Sequence, residues 1–598
     1  MLERTTVQRS NSRLALLAVV MGLVAGLTVG VAAGSIMAIR TVARNLIGLT
    51  LDSVVIGLYL GAIYGAVWAV VGLGAGVVVG VAVWLRKLSN LRVAYAGCFG
   101  SVLGLYVFLT GMRLYNEDLY FYRYSFIDSL AAMQIFFIVR TVLILVIAIG
   151  AGYAGYRLMR RSLRIGLVCL AVAIAIGALV SGFRSQPVEQ VTTTRLPSVE
   201  SQNATPRIVL LGWDGATWVI IDRLIDEGKM PNLSRLIKNG ARADLKTLPH
   251  TVSPEIWTTI YTGKSKAQHG ICGFDYYLIP GLRRAVVPPE RGLGIARLIA
   301  FALKHRWIDS VVANRSLRRS TPIWRIMNLV GRSAGVVGAL VTWPAEEVEP
   351  ILITNIAGDV ATRIRRGVVG PEALSKEQVY YPEDLDEAAV EMILNEKRWE
   401  LATGIYLYRK YRPYFFTCYT NQPDGVQHLY WKWMEPQYYS GVTAEDIERY
   451  GNVIENEYVF LDSVLGEFMS VAGDTTTVLI VSDHGFSPTY RSLQQAGHYY
   501  GPDGIFIAYG PPIRTGIVAD NVSVFDVTPT ILALAGMPVA EDMEGRVLEE
   551  IIRPEFLAAH PVVKTATYET QRASGVVRKP GVEKEIRKRL KALGYIAH

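Results

Sequence analysis

Cysteine and histidine are scarce in this chain, with four and eight residues in 598. None of the cysteines (Cys98, Cys169, Cys272, Cys418) belongs to a CxxC pair, which leaves no cysteine-based metal ribbon or redox couple. A Cys272–Cys418 disulfide is conceivable, but nothing in the sequence demands it. Acidic residues are scarce in one region only. Residues 1–184 hold 5 Asp and Glu against 16 Lys and Arg, and the remainder holds 47 against 45. The net charge of +9 therefore belongs to the first region, and no nucleic-acid-binding surface is implied for the second.

The first region is instead rich in apolar runs, at 14–39, 53–85, 93–112, 131–156 and 165–183. Each meets or nears the ~20 residues that cross a bilayer. Residues 1–183 read as an α-helical transmembrane domain of about five spans. Gly72, Gly74, Gly76 and Gly80 in the second run permit a break, and with it a sixth span. The first run is too long for a cleaved signal peptide, and others follow it. Basic loops alternate along the chain: Arg4, Arg9 and Arg13; then Arg86, Lys87 and Arg92; then Arg157, Arg160, Arg161 and Arg164. That alternation puts the N-terminus inside, and an odd number of spans puts everything after Phe183 outside. The expectation is an integral membrane protein with an extracytoplasmic domain.

Residues 184–206 are polar and aperiodic, a linker. From 207 to 560 short β-rich runs alternate with helical patterns: "RIVLLGWDG", "AGVVGALVTWP", "YFFTCYTNQPDG", "TVLIVSDHG" and "GIFIAYGP". This alternation predicts an α/β domain with a doubly wound, largely parallel sheet. Such sheets bind ligands beyond the carboxyl ends of their strands. Charged insertions interrupt the domain near 280–330 and 360–400, and 561–598 reads as a C-terminal helical tail. The stretch "RRAVVPPERGLGIARLIAFALKHRW" reads as an ordinary surface helix or as an amphipathic segment resting on the membrane, the former preferred.

Polar residues collect at the strand ends. Asp214 ends the first strand. Asp424 and His428, four apart, share a face if helical. Asp483 and His484 end the fourth strand, and His498 stands before the fifth. Singly these are turn, surface or loop residues. Together they make three carboxylates and three imidazoles, the mixed donor set that zinc takes and enough for two ions. A nucleophile is offered by "LPHTVSPEIWTTIYTG". Ser253 before Pro254 has the form of a helix N-cap followed by proline at the first helical position. A hydroxyl there lies where the helix N-terminus favours phosphate. Thr251 is the competing hydroxyl.

The order Asp…Ser/Thr…Asp-x-x-x-His…Asp-His-Gly…His resembles the alkaline phosphatase superfamily, in particular its type I phosphodiesterase/nucleotide pyrophosphatase branch. "GWDGATW", "MPNLSRLIKNGA", "TGKSKAQHGI", "SDHGF", "FDVTPTILALAGMP" and "EGRVL" match over residues 207–548. The resemblance implies an alkaline-phosphatase-like fold. It also implies one zinc held by Asp424, His428 and His498, and another held by Asp214, Asp483 and His484. Ser253 would form a covalent phospho-enzyme that water resolves, one metal activating Ser253 and the other steadying the leaving oxygen or the water. The implied activity is that of a membrane-anchored phosphoric ester hydrolase on a phosphate-ester substrate, lipid-linked esters included. The alternative is a phosphotransferase that moves a phospho-headgroup from a lipid to a glycan or lipid acceptor. The chain departs from the pyrophosphatase pattern Thr-x-Pro-Asn, with Ser253, Pro254, Glu255 and Ile256, so the Asn contact to phosphate is absent. "SPEIW" is similar to the Ser-x-Pro-Ala-Trp form of bacterial relatives, with Trp257 in register. Lys266 stands where the family often has Pro, His269 reads as structural, and the sulfatase signature is missing.

Overall fold

The computed structural model describes residues 2–45, 51–84, 96–109, 130–161, 205–282, 285–287, 295–355, 379–380, 399–439, 441–492, 495–498 and 502–569. Packing divides the chain into two compact units: Met1–Pro187 with Tyr276–Ser310, and Val188–Asp275 with Val311–His598. The stretch expected as one insertion near 280–330 is thus divided between the two units. Most of the other, near 360–400, and the C-terminal tail from 570 lie outside the described residues.

In the first unit, α1 (Leu2–Arg44) and α2 (Leu51–Trp84) are long helices. Residues 13–44 and 51–82 are long and apolar enough to cross a bilayer. α3 (Ala96–Leu109) is shorter and apolar, as is the Thr141–Arg157 portion of α4 (Leu130–Arg161). The fifth apolar run, 165–183, lies outside the described residues. The glycines of the second run do not break α2. Gly72 and Gly76 instead meet α1: a Cβ on Gly72 would stand 2.2 Å from the Gly22 carbonyl oxygen, and one on Gly26 2.0 Å from that of Trp68. Gly22, Gly26, Gly30 and Gly34 recur every four residues along α1, so the two backbones touch along their length. This is the small-residue packing by which helices associate without a hydrophobic drive between them.

The second unit is built on a ten-stranded sheet. Its strands are β1 (Ile208–Trp213), β2 (Ala241–Lys246), β3 (Ala334–Val337), β4 (Pro350–Ile353), β5 (Val379–Tyr380), β6 (Phe415–Thr420), β7 (Thr477–Val481), β8 (Gly504–Tyr509), β9 (Ile517–Val518) and β10 (Val522–Ser523). The order is β9-β2-β8-β7-β1-β6-β3-β4-β5, with β10 also on β2. All five strands expected from sequence are present. The sheet is mixed. The run β7-β1-β6-β3-β4 is parallel, but β8 is antiparallel to both β7 and β2, and β5 to β4. Along β1, Ile208 and Leu210 join one apolar cluster and Val209 and Leu211 another. Both faces are therefore covered, which is why β1 reads as an unbroken apolar run.

This topology brings the polar ends to one edge. β7, β1 and β6 are adjacent and parallel, so Asp483, Asp214 and the turn carrying Asp424 emerge side by side. β8 runs the other way, so His498, six residues before its start, arrives at the same edge. β2 is parallel to β7 across β8, and the chain leaving β2 reaches Ser253 there too.

Candidate metal centre and nucleophile

Asp214 follows β1 directly. Gly215 turns the chain away at φ 69°, and a Cβ on it would stand 2.8 Å from that of Asp424. Only glycine combines that left-handed backbone with so close an approach. The Gly215 N–H donates to Asp483 Oδ1 at 3.3 Å, and the Asp424 N–H donates to the Asp214 carbonyl at 3.0 Å. Asp424 lies in the first turn of α7 (Gln422–Met434), with His428 one turn on. Their His Nε2 and Asp Oδ1 atoms are 3.5 Å apart, and His498 Nε2 is also 3.5 Å from Asp424 Oδ1. His484 Nε2 stands 3.3 Å from Asp483 Oδ2 and 3.7 Å from Asp214 Oδ1. The His484 and His498 rings stack at 3.8 Å.

Two groups of ligand atoms gather tightly enough to surround an ion: Asp214, Asp483 and His484, and Asp424, His484 and His498. The first group is the expected one. In the second, His484 takes the place expected for His428, whose nitrogen lies beside Asp424 but outside that tightest group.

The three carboxylates are fully buried. Asp214 Oδ1, Asp483 Oδ2 and both oxygens of Asp424 have no hydrogen-bond partner among the described residues. Burial first, then the Asp483 charge, raises the Asp214 carboxyl to about 8. Burial raises Asp483 to about 7 and pushes Asp424 well above the ordinary carboxylate range. Burial lowers His484. Three buried acids that repel one another, with unsatisfied oxygens and imidazoles beside them, have the donor chemistry of a site for divalent cations.

The imidazoles are held ready to ligate. His484 Nδ1 lies 2.9 Å from the Gly485 carbonyl, so it carries the proton and leaves the Nε2 lone pair for a ligand. The Thr251 hydroxyl donates to the His498 carbonyl, so it accepts from His498 Nδ1 at 3.2 Å, and the opposite ring nitrogen, Nε2, faces Asp424. Thr251 is thus engaged with His498. The Ser253 hydroxyl lies 3.4 Å from His484 Nε2. Ser253 is the first residue of α5 (Ser253–Thr262), and its N-cap is Val252, with no side-chain cap bond. The expected capping role therefore shifts by one residue, and the Ser253 side chain points to His484.

Two residues at the site went unassigned in the sequence. Tyr419 donates its hydroxyl to Asp214 Oδ2 at 2.5 Å, and Trp257 donates Nε1 to the same oxygen at 3.1 Å. Trp257 was visible as i+4 from Ser253, on the same helix face. Tyr419 carried no signal beyond its place one residue from the end of β6. His269 is structural, as expected. Its Nδ1 accepts from Ile271 N–H at 3.1 Å, and Nε2 lies 3.2 Å from Thr259 Oγ1. Glu255 and Lys266, two departures from the family pattern, pair at 3.0 Å. Cys272 and Cys418 are buried and are not joined in a disulfide.

Residues 208–505 match the family model of type I phosphodiesterase / nucleotide pyrophosphatase. Arylsulfatase K of Danio rerio is 32% identical over 159 residues, 24% of this chain and 30% of that protein. The chain thus spans under a third of that curated relative's length. Among solved structures, murine ectonucleotide pyrophosphatase / phosphodiesterase 5, an inactive variant in complex with AMP, is 13% identical at a TM-score of 0.37. That match covers 58% of this chain and 100% of that one. Phosphonoacetate hydrolase from Sinorhizobium meliloti 1021 in complex with phosphonoformate is 22% identical at a TM-score of 0.29, covering 48% and 57%.

Proposed function

The chain belongs, through residues 208–505, to the type I phosphodiesterase / nucleotide pyrophosphatase family, and from that premise we propose a membrane-anchored phosphoric ester hydrolase that works through a phospho-serine at Ser253. The observation that carries this reading is the cluster of buried, unsatisfied carboxylate oxygens of Asp214, Asp424 and Asp483 beside a serine hydroxyl at a helix start. Asp214, Asp483 and His484 would hold one divalent ion, and Asp424, His428 and His498 a second, with zinc matching the donor set. Bound ions of this kind supply Lewis acidity, which neutralises phosphoryl oxygens and lowers the pKa of a hydroxyl or water.

The residues of the chain do the rest. Ser253 Oγ attacks phosphorus and gives its proton to solvent water. The ester P–O bond breaks, and its electron pair leaves with the alcohol oxygen, which is protonated from water. Water then attacks the phospho-serine, returning the hydroxyl and releasing phosphate or a phosphomonoester. The start of α5, the positive end of its helix dipole, favours the phosphoryl anion. Tyr419 and Trp257 fix Asp214, Thr251 fixes His498, and Gly215 fixes Asp483.

The domain lies outside the cytoplasm in this reading, on the alternation of basic loops. The test is purification of the whole chain in detergent, metal analysis, and a screen of phosphomonoesters, phosphodiesters and lipid-linked esters with free product measured. Two equivalents of zinc and free product support hydrolysis. Product that appears only when an acceptor alcohol is supplied replaces it with the transferase reading. A metal-free, inactive protein refutes both.

A further inference from the structure

Within the first unit, the segment Tyr276–Ser310 is tied to the end of α1 and the first turns of α2. Val286 shares a buried cluster with Ala38, Val42 and Ile56, and Ile279 and Leu282 pack against it. The Asn45 side chain donates to the Val287 carbonyl at 2.6 Å and accepts from the Val287 N–H at 2.7 Å. From this anchorage the chain runs into α6 (Ile295–Lys304), whose Ile299 packs against the cluster built by α1, α2 and α3.

The end of α6 is shaped to display aromatics. Arg306 takes φ 58°, its N–H bonds the Leu303 carbonyl at 3.1 Å, and the Trp307 N–H bonds that of Ala302 at 2.8 Å. These are the two bonds of a Schellman turn. The reversal lays Trp307 edge-on to Phe301, centroids 5.3 Å apart, with His305 4.3 Å from Phe301. The pair packs on itself yet stays open: Phe301 is 49% exposed and Trp307 62%. Lys304, His305 and Arg306 are exposed beside them, and no acidic residue occurs from Ile295 to Ile308.

We propose that this turn is a membrane-interface anchor, with Phe301 and Trp307 seated at the headgroup–acyl boundary and Lys304 and Arg306 on the phosphates of acidic phospholipid. Aromatic rings beside basic side chains suit that layer. A bilayer is favoured over a protein partner by continuity. The element is bonded to helices whose outward residues, such as Leu16, Leu58, Val70 and Val78, are themselves exposed and apolar. The proposal rests on α1 and α2 being spans.

The test reconstitutes the whole chain in phosphatidylcholine vesicles with or without phosphatidylglycerol, using lipids brominated near the headgroup, and compares wild type, Trp307→Phe and the double variant Lys304→Glu/Arg306→Glu. Loss in Trp307→Phe of an emission component that bromolipid quenches and aqueous iodide does not is the expected result. The charge reversals, which keep every aromatic residue, lose that protection in phosphatidylglycerol vesicles and keep it in pure phosphatidylcholine. A Trp307 component quenched by iodide and untouched by bromolipid, in vesicles holding the protein against carbonate extraction, overturns the anchor alone. Release of the protein by carbonate overturns the spanning reading and the anchor with it.

Discussion

Tyr419→Phe removes one atom from the site and little else. The Tyr419 ring packs edge-on to Trp257 at 5.0 Å, a contact phenylalanine keeps. What is lost is the 2.5 Å bond to Asp214 Oδ2. A hydrogen bond to an ionised group is worth about 1.5–3 kcal/mol, and about 1.4 kcal/mol is tenfold in an equilibrium constant, so the ion held by Asp214 should bind roughly 10- to 100-fold more weakly. The other bond to that oxygen, from Trp257, keeps the carboxylate oriented, so the loss should be graded and not complete. Zinc affinity measured by competition with a chelator, alongside circular dichroism to confirm the fold, reads this directly. Turnover at limiting zinc should fall in parallel and recover as zinc is raised. A folded Tyr419→Phe protein with wild-type zinc affinity would show that Asp214 is not aimed at a metal, and the assignment of that site would fail.

Ser253→Ala should keep both metals, fail to label with a phosphorus-based probe, and lose turnover by more than about 100-fold. Thr251→Ala should still label while binding zinc more weakly through His498; the reverse pattern of labelling means the nucleophile is Thr251. Chelated protein should lose thermal stability as pH rises from about 4 to about 8. Asp214 and Asp483 are raised to about 8 and about 7 in the fold, so the folded state holds more protons than the unfolded one and its advantage goes as they ionise. A melting temperature of the metal-free protein that climbs across that window contradicts the burial argument. Gly26→Ala should lower the melting temperature in detergent, because its Cβ has no room against Trp68, whereas Gly74→Ala, with nothing within 4 Å, should not. Equal effects would place the α1–α2 contact elsewhere.

The strands that carry the ligands were legible because both faces of β1, β6 and β7 are covered, which leaves unbroken apolar runs ending abruptly in acids. β2 was not legible. Its residues, ARADLK, alternate buried and partly exposed or exposed positions, and a strand between β8 and the short β9 and β10 needs no long apolar run. Nor was the direction of β8, since a buried strand reads alike both ways and only pairing sets its sense. The residues that gather at the candidate site were visible from spacing and order. The sharing of His484 between the two candidate groups was not, because it depends on how closely the chain after β7 approaches the turn after β6 and the segment before β8. The supporting bonds from Tyr419 and Thr251 were hidden for the same reason, being made between elements far apart in sequence.

The bond between Asn45 and Val287 also fixes a parity. On the proposed membrane reading, α1 and α2 are successive spans, and Asn45, just past the end of α1, lies on the side opposite the basic N-terminus. Val287 shares that side, since its backbone is bonded to the Asn45 side chain. α2 then ends at Trp84 on the N-terminal side, so this reading requires an odd number of further crossings before Val287 and an odd total. The five spans expected from the sequence fit that parity, whereas six would put Val287 and Asn45 on opposite faces of the bilayer.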